Sequence, residues 1–114
     1  MTQYVKNMAS IKIATLNCRG LMSPAKRRRL NLYVKQHRVD ILLLQETHVA
    51  DNSLMTEIAN EWGMRGYWSL GSYQSKGVAI LFKLSLNVTH ICHFRDSDGR
   101  LVVVNMKMGD ENFR

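Results

Sequence analysis

Two polar side chains stand at positions where predicted strands end. Asn17 closes Ile11 to Asn17, a run of alternating apolar and polar residues with the β-branched content typical of a strand. Glu46 follows closely on Ile41 to Leu44, a continuous apolar run that predicts a strand buried on both faces. A carboxylate on such a rigid support offers the kind of oxygen ligand that Mg²⁺ prefers. An exposed glutamate after a strand is more often an ordinary surface residue, so this spacing alone does not establish an enzyme.

A helix between the two strands would place their polar ends side by side. Ser23 followed by Pro24 is a helix-start signal, and the helix is expected to run to about His37. Its buried stripe is predicted from helical spacing as Leu30, Tyr33, Val34 and His37. A strand, a helix and a second buried strand predict two parallel neighbours. Asn17 and Glu46 would then meet at one edge of the sheet, where open α/β folds place their ligands.

The rest of the chain predicts a second helix and then mainly strands. Asp51 to Ser53 can cap a helix that ends at about Trp62, before Gly63. The expected strands are, in order, Tyr67 to Leu70, Gly77 to Phe82, Leu86 to Phe94 and Arg100 to Met108. The third strand is expected to pair with the second. A turn at Asp96 to Gly99 would join the third strand to the fourth. The predicted fold class is α/β, or mixed α+β, with a βαβ start followed by a β-meander.

Basic residues are concentrated on the first predicted helix. The chain carries a net charge of +7, which favours polyanionic partners such as nucleic acid. The run Lys26, Arg27, Arg28 and Arg29 would lie on the solvent side of the helix, opposite the apolar stripe. Such a run is more often a solvated face than a binding patch. The functional alternative is contact between these four side chains and nucleic-acid phosphates.

Composition excludes some classes of protein. With 22% charged and 46% hydrophobic residues the chain has an ordinary globular balance, which argues against disorder and against a membrane protein. The longest apolar run is too short to cross a bilayer, and the first ten residues hold no apolar signal core. We therefore expect an intracellular protein of the nucleus or cytoplasm, without a membrane partner.

The cysteines and histidines give no strong metal motif. Cys18 and Cys92 lie far apart without CxxC spacing, which favours two reduced thiols over a disulfide framework, and neither is expected to be catalytic. His90, Cys92 and His93 are close together, but strict strand alternation puts His93 on the opposite face from the other two. A zinc site there would lack ligands, so zinc is disfavoured.

Four ordered motifs together resemble the endonuclease/exonuclease/phosphatase family. They are Thr15 to Leu21, then Lys26 and Arg27 with Leu30, then Asp40 to His48 with Gln45-Glu46-Thr47-His48, and Ser75 to Leu81. The likeness covers about Ile11 to Met108 and is greatest to the apurinic-endonuclease-like nuclease domain of LINE-type, non-LTR retrotransposons. This resemblance implies the N-terminal half of a four-layer α/β/β/α sandwich.

The resemblance also implies a function for the strand ends. In this family Glu46 would bind the divalent metal, Mg²⁺ with Mn²⁺ as an alternative, and Asn17 would organise the phosphate site. Gln45 and His48 match the pattern and would have supporting roles. The expected reaction is hydrolysis of a phosphodiester, with DNA as the substrate class.

The second half of the family's motif set is not recognised in this sequence. We therefore expect residues 1–10 to be a short N-terminal extension and residues 11–114 to be a partial domain truncated at its C-terminus. Gly109 to Asn112 spells Gly-Asp-x-Asn, a family motif, but a plain turn after the hairpin explains it better. Activity alone is then expected to be weak or absent, with self-association through an uncovered sheet face. The alternatives are a non-catalytic nucleic-acid-binding module that uses the basic helix, and a relative of the family's phosphatases.

Overall fold

A computed structural model of the chain describes residues 10–109. Residues 1–9 and 110–114 lie outside the described part, and with them most of the predicted extension and of the Gly109 to Asn112 turn. The described elements run, in order, β1 (Ile13–Asn17), α1 (Pro24–Gln36), β2 (Ile41–Gln45), α2 (Asn52–Trp62), β3 (Met64–Ser69), β4 (Val78–Lys83), β5 (Val88–Arg95) and β6 (Val102–Met108).

The first four strands form one mixed sheet in the order β1-β2-β4-β3. β1 and β2 are parallel, with Asn17 opposite Gln45, which confirms the predicted βαβ start. β4 runs antiparallel to both β2 and β3. β2 therefore lies inside the sheet, as its apolar run predicted, while β1 is an edge strand in the described chain.

Both helices begin and end where the sequence signals predicted. The Ser23 side chain caps α1 by accepting a hydrogen bond from the Lys26 N–H, and Asp51 caps α2 through the Leu54 N–H. Gly63 ends α2 in the left-handed conformation, at φ +62°. These local signals fix where the chain leaves each helix for the next strand.

The core lies between the helices and one face of the mixed sheet. Alternation along the strands directs one set of side chains towards the helices. Trp62 and Trp68 are 0% and 3% exposed, so both tryptophans pack inside the core. The cluster is completed by buried residues from both helices, the strands and the loops, among them Leu21, Val34, Leu42, Leu44, Val49, Ile58, Met64, Ala79 and Leu81.

The last two strands form a separate hairpin on the opposite face of the sheet. β5 pairs with β6, which confirms the predicted hairpin, and the pair packs against β3 and β4. The prediction that β5 also pairs with β4 was wrong. Both edges of β4 are already hydrogen-bonded, one to β2 and the other to β3, so a meander cannot continue from it.

A β-bulge in β5 corrects the prediction for the histidines. The register with β6 shifts between His90 and Cys92. An extra residue in one strand changes the alternation of side chains beyond it. His90 and His93 consequently lie on the same face, with Nε2 and Nδ1 3.1 Å apart, instead of on opposite faces.

The chain thus has a mixed α/β architecture of two helices, a four-stranded sheet and a two-stranded sheet. Apolar side chains stay exposed on β1 and on the outer face of the hairpin, namely Ile13 at 60%, Phe94 at 57% and Val103 at 50%. The predicted self-association through an uncovered sheet face stays a prediction. Within residues 10–109, no helix is long and apolar enough to span a membrane.

Two parts of the α1 prediction were wrong. Tyr33 is 56% exposed and His37 is also exposed, because they lie over an open groove beside the edge strand β1. Arg27, expected in solvent, is 2% exposed. It points from α1 towards α2, which packs beside it.

Arg27 joins the two helices through a buried charge. Its guanidinium donates to the Glu61 and Glu57 carboxylates at 2.9 and 3.0 Å and to the Leu21 and Met22 carbonyl oxygens at 2.8 and 3.0 Å. The hydrogen bond with Arg27 lowers the pKa of Glu61 below its usual value. A planar guanidinium can satisfy several acceptors at once, which explains why the arginine is retained inside.

We expect Arg27→Ala to lower the free energy of unfolding by about 3 kcal/mol, because it removes a buried side chain and leaves two carbonyl oxygens without their donor. Urea denaturation followed by circular dichroism measures the change. Arg28→Ala, one position along on the exposed face, is the matched control and should cost less than about 0.5 kcal/mol. Equal losses for the two variants would contradict the interhelical role of Arg27.

Candidate active site at the strand ends

Asn17 and Glu46 lie in contact at the end of the parallel strand pair. Asn17 is the last residue of β1, and Glu46 follows the last residue of β2. The Asn17 side-chain N–H donates to Glu46 Oε2 at 2.8 Å. Both side chains are exposed, so a ligand can reach them. The structure therefore brings the two residues together as the strand register predicted.

Backbone hydrogen bonds continue the β1 and β2 pairing past the strands. The N–H groups of Cys18, Gly20 and Leu21 donate to the carbonyl oxygens at the end of β2 and just after it, which are those of Gln45, Glu46 and Thr47, at 2.8 to 2.9 Å. The Asn17 Oδ1 also accepts from the Arg19 N–H at 3.2 Å. The Asn17 amide is thus held at both ends, which fixes the direction in which it donates to Glu46.

The other side of the Glu46 segment is held by the loop before β4. Thr47 and His48 donate their N–H groups to the Gly77 and Lys76 carbonyl oxygens at 3.0 and 2.9 Å. Thr47 is fully buried, and its hydroxyl accepts from the Val49 N–H at 3.2 Å. Glu46 is consequently supported from both sides by hydrogen-bonded backbone.

Backbone strain is concentrated at this edge. Five residues other than glycine within the described chain have positive φ angles, and four of them lie here: Arg19 at 50°, Glu46 at 51°, His48 at 57° and Lys76 at 64°. Such conformations cost energy for residues with a Cβ and recur at functional sites, where the surrounding structure holds them. The hydrogen bonds on both sides of Glu46 supply that support.

Gln45 and His48 lie at the same edge but do not contact Glu46 in the described hydrogen-bond network. Gln45 Nε2 donates to Thr15 Oγ1 at 2.8 Å across the parallel pair. The His48 ring lies beside Gly20, where an added Cβ would come within 2.9 Å of Nδ1. These placements agree with positioning by packing and hydrogen bonding, and the supporting roles predicted for both residues stay predictions.

The basic residues of α1 divide into two groups. Lys26 reaches the strand ends, where its ammonium donates to the Arg19 carbonyl oxygen at 3.1 Å. Arg28 and Arg29 are exposed on the helix. Arg27 is buried between the helices and cannot contact a nucleic acid, so its predicted role in the basic patch was wrong.

Cys18 lies next to Asn17 in an environment that disfavours a reactive thiolate. Its side chain is 2% exposed, and burial raises the pKa of its thiol to about 12. A thiol reacts as the thiolate, which is scarce at neutral pH when the pKa is so high. The expectation that Cys18 has no catalytic role agrees with this environment.

Sequence reasoning assigned no role to Lys76, which the fold brings to this edge. Its ammonium pairs with the Asp98 carboxylate at 2.9 Å, and the pairing lowers the pKa of Asp98. Gly77 donates its N–H to the Gly99 carbonyl oxygen at 2.8 Å, so the hairpin turn also lies at this edge. The adjacent Lys-Gly in the sequence marked a loop, but only the tertiary fold shows which strand ends that loop contacts.

The donor set at the strand ends suits a hard cation such as Mg²⁺. Glu46 supplies carboxylate oxygens, and one of them is oriented by Asn17. Mg²⁺ commonly takes one or two carboxylates and keeps several waters. Residues 10–109 contain no cluster of three or more histidine, cysteine or acidic side chains able to hold a metal. The described residues therefore offer a cation one oriented carboxylate, that of Glu46, and no multidentate protein site.

Proteins with open α/β sheets generally bind their ligands outside the carboxyl ends of the strands. Asn17 and Glu46 lie at that place in this chain. Comparison with protein families makes the class specific. Residues 14–114 match the family model described as the endonuclease/exonuclease/phosphatase family. Because the match spans most of the sequence, the chain belongs to that family.

We expect Gly77→Ala to distort the strand-end edge and to lower the free energy of unfolding by about 2 to 4 kcal/mol. Gly77 has a φ of +93°, and an added Cβ would clash with the buried Thr47 hydroxyl. Thermal unfolding measures the loss of stability.

Gly109→Ala is the matched control, because it introduces the same backbone strain without a steric clash. Gly109 has a similar φ of +96° but no atom within 4 Å of an added Cβ. It should cost only the strain of the backbone, about 1 kcal/mol. If the two variants lose the same stability, the contact between Gly77 and Thr47 does not hold the edge in place.

Proposed function

We propose that the chain carries part of the active site of a Mg²⁺-dependent nuclease that hydrolyses phosphodiester bonds in DNA. Membership of the endonuclease/exonuclease/phosphatase family supports phosphodiesterase, nuclease or phosphatase chemistry in general. The hydrogen bond from Asn17 to Glu46 carries the proposal further. It presents one carboxylate, in a fixed orientation, at a solvent-accessible edge of the sheet.

Glu46 would hold the metal, and Asn17 would hold Glu46. The Asn17 amide donates to one carboxylate oxygen and is itself oriented by the Arg19 N–H. This leaves the other oxygen, Oε1, without a hydrogen bond to any residue in the described part of the chain, and so open to a ligand. A bound divalent ion supplies charge stabilisation to a phosphate and its leaving oxygen. The preorganised residue pair lowers the cost of binding that ion, because its geometry is already set.

Lys26 and Lys76 add positive charge at the same edge. The Lys26 ammonium is fixed near the β1 end by the Arg19 carbonyl oxygen. The Lys76 ammonium is paired with Asp98 and is partly exposed, which would allow it to exchange that partner for a phosphate. Two lysines at the strand-end edge, with Lys76 released from Asp98, would attract an anionic substrate towards Glu46.

We propose that this activity is weak when the chain acts alone. Residues 10–109 contain no group of three or more histidine, cysteine or acidic side chains that could hold a metal, and the hydrogen bond of the Glu46 carboxylate is to Asn17. A phosphodiester hydrolase also needs a group that activates water. The described site can therefore bind the ion and the phosphate better than it can complete the reaction.

The spacing of the sequence motifs favours one kind of nuclease. The spacing of Asn17, the Gln45 to His48 motif and the Ser75 to Leu81 motif resembles the LINE-type, non-LTR retrotransposon nucleases more than the family at large. We therefore propose a retrotransposon-type endonuclease domain that works on DNA in the nucleus or cytoplasm. Mn²⁺ should replace Mg²⁺, because both take carboxylate and water ligands.

Glu46→Gln is expected to slow metal-dependent nicking strongly. The substitution keeps the size of the side chain and removes its charge, so the ion loses its protein carboxylate. We expect slow nicking of supercoiled plasmid in Mg²⁺, none in EDTA, and a rate about 100-fold lower in the variant, as the loss of several kcal/mol of charge stabilisation implies. Gel electrophoresis of the plasmid gives the rates.

Metal binding provides a second measurement that does not need turnover. Mn²⁺ is paramagnetic and should broaden the backbone NMR signals of residues near Glu46, with no such broadening in Glu46→Gln. Glu57→Gln on α2 is the matched control and should leave nicking and broadening unchanged. Equal nicking by wild type and Glu46→Gln, or broadening that is not centred on Glu46, would rule out the assignment. Hydrolysis of a small phosphomonoester without nicking would instead favour the phosphatase relative.

The exposed arginines of α1 support a second function, binding of nucleic acid without cleavage. Arg28 and Arg29 lie side by side in sequence and are both exposed on one helix, whereas Arg27 is buried. Their charges can neutralise backbone phosphates without reading the base sequence. This function would not depend on Glu46.

We expect the double variant Arg28→Gln with Arg29→Gln to weaken DNA binding and to make it less sensitive to salt. Each lost phosphate contact should reduce the slope of log K against log salt by about 0.9, so two contacts reduce it by about 1.8. Fluorescence anisotropy with a labelled duplex at several salt concentrations measures the slope. Arg65→Gln with Arg95→Gln removes the same charge from exposed positions of β3 and β5. If that control changes the slope equally, α1 is not the binding surface.

A further inference from the structure

We propose that His90 and His93 form a chelating site for a borderline divalent transition metal of the Ni²⁺, Cu²⁺ and Zn²⁺ group. The two imidazoles lie on one face of β5, with His90 Nε2 and His93 Nδ1 3.1 Å apart. Both residues are exposed, so an ion can reach the pair from solvent. The site is separate in its residues and in its ligand chemistry from the strand-end carboxylate.

The β-bulge makes the pair possible. In a regular strand, residues three apart point to opposite faces. The register shift between His90 and Cys92 returns His93 to the face that carries His90. Bulges often re-aim a side chain in this way near functional sites. Without the bulge the two nitrogen atoms could not approach each other.

The distance between the nitrogens fits two bonds to one ion. With metal–nitrogen bonds of about 2.1 Å, a separation of 3.1 Å corresponds to an angle of about 95° at the metal. This lies close to the roughly 90° of square-planar and octahedral sites and below the roughly 109° of tetrahedral ones. The separation therefore suits two neighbouring ligands of one ion of this group, with water in the remaining positions.

Tyr67 holds the imidazole rings in place from the neighbouring sheet. Its ring lies 5.2 Å from the His90 ring and 4.4 Å from the His93 ring, measured between centroids. Ring contacts of this kind restrict rotation of the histidines and reduce the entropy lost when an ion binds. The Arg65 guanidinium lines the same cavity as His90 but lies over the Phe82 ring, 5.0 Å from its centroid.

Binding requires a change in the protons of the pair. In the hydrogen-bonded pair, one facing nitrogen carries a proton and the other accepts it. For both facing nitrogens to bind an ion, that proton moves to the outer nitrogen of its own ring. Both rings then stay neutral, and the ion takes the two lone pairs in place of the hydrogen bond. Imidazole nitrogen suits these metals, whereas Mg²⁺ prefers oxygen.

The test is a calorimetric titration of the tag-free full chain with Ni²⁺, which gives the dissociation constant. We expect one strong site, and each of His90→Gln and His93→Gln should raise the dissociation constant about tenfold or more, because each removes one arm of the chelate. His37→Gln, which removes an exposed imidazole from α1, is the matched control and should leave the constant unchanged. Cys92→Ser should also leave it unchanged, since that side chain precedes His93 and points to the other face.

A measurement on the unaltered protein protects the test against misfolding of a variant. Paramagnetic Ni²⁺ should broaden the NMR signals of Tyr67, His90 and His93, and excess Mg²⁺ should not reverse the effect. Wild-type affinity in both histidine variants, absence of Ni²⁺ binding, or broadening centred on Glu46 would each overturn the proposal. Glu46→Gln should still bind Ni²⁺ with wild-type affinity, so failure of the nuclease proposal and failure of this one are distinguishable.

Discussion

The parallel pairing of β1 with β2 is the constraint on which the candidate site depends. The crossover through α1 brings two strand ends to one edge, and the register then sets Asn17 opposite Gln45. Glu46, the next residue, has a positive φ angle, and its carboxylate lies against the Asn17 side chain. The crossover itself is fixed by Arg27, which is buried between α1 and α2 and satisfies acceptors from both sides.

Two different kinds of polar chemistry therefore lie in one small fold. The strand ends carry a hydrogen-bonded amide and carboxylate, Asn17 and Glu46, supported by backbone hydrogen bonds on both sides of Glu46. The hairpin carries paired imidazoles, supported by ring contacts with Tyr67. Both depend on a local departure from regular strand geometry, a positive φ in one case and a bulge in the other. Such departures are stable only where neighbouring elements compensate for them.

Membership of the endonuclease/exonuclease/phosphatase family gives the oxygen site a chemical context. The structure shows how far residues 10–109 satisfy that chemistry: one oriented carboxylate, one anchoring amide and nearby lysines. Apolar side chains on β1 and on the outer face of the hairpin are exposed, among them Ile13 and Phe94, so these surfaces are not covered within the described residues.

The sequence by itself determined the features that depend on local chemistry. Capping residues fixed the helix limits, the apolar run identified β2 as an inner strand, and the βαβ order placed Asn17 beside Glu46. Tertiary structure decided what local patterns do not encode. The edges of β4 were taken by β2 and β3, so β5 could not pair with it. The packing of α2 drew Arg27 out of solvent, the bulge re-aimed His93, and the loop that carries Lys76 docked on the Glu46 segment, because each outcome depends on contacts between residues distant in sequence.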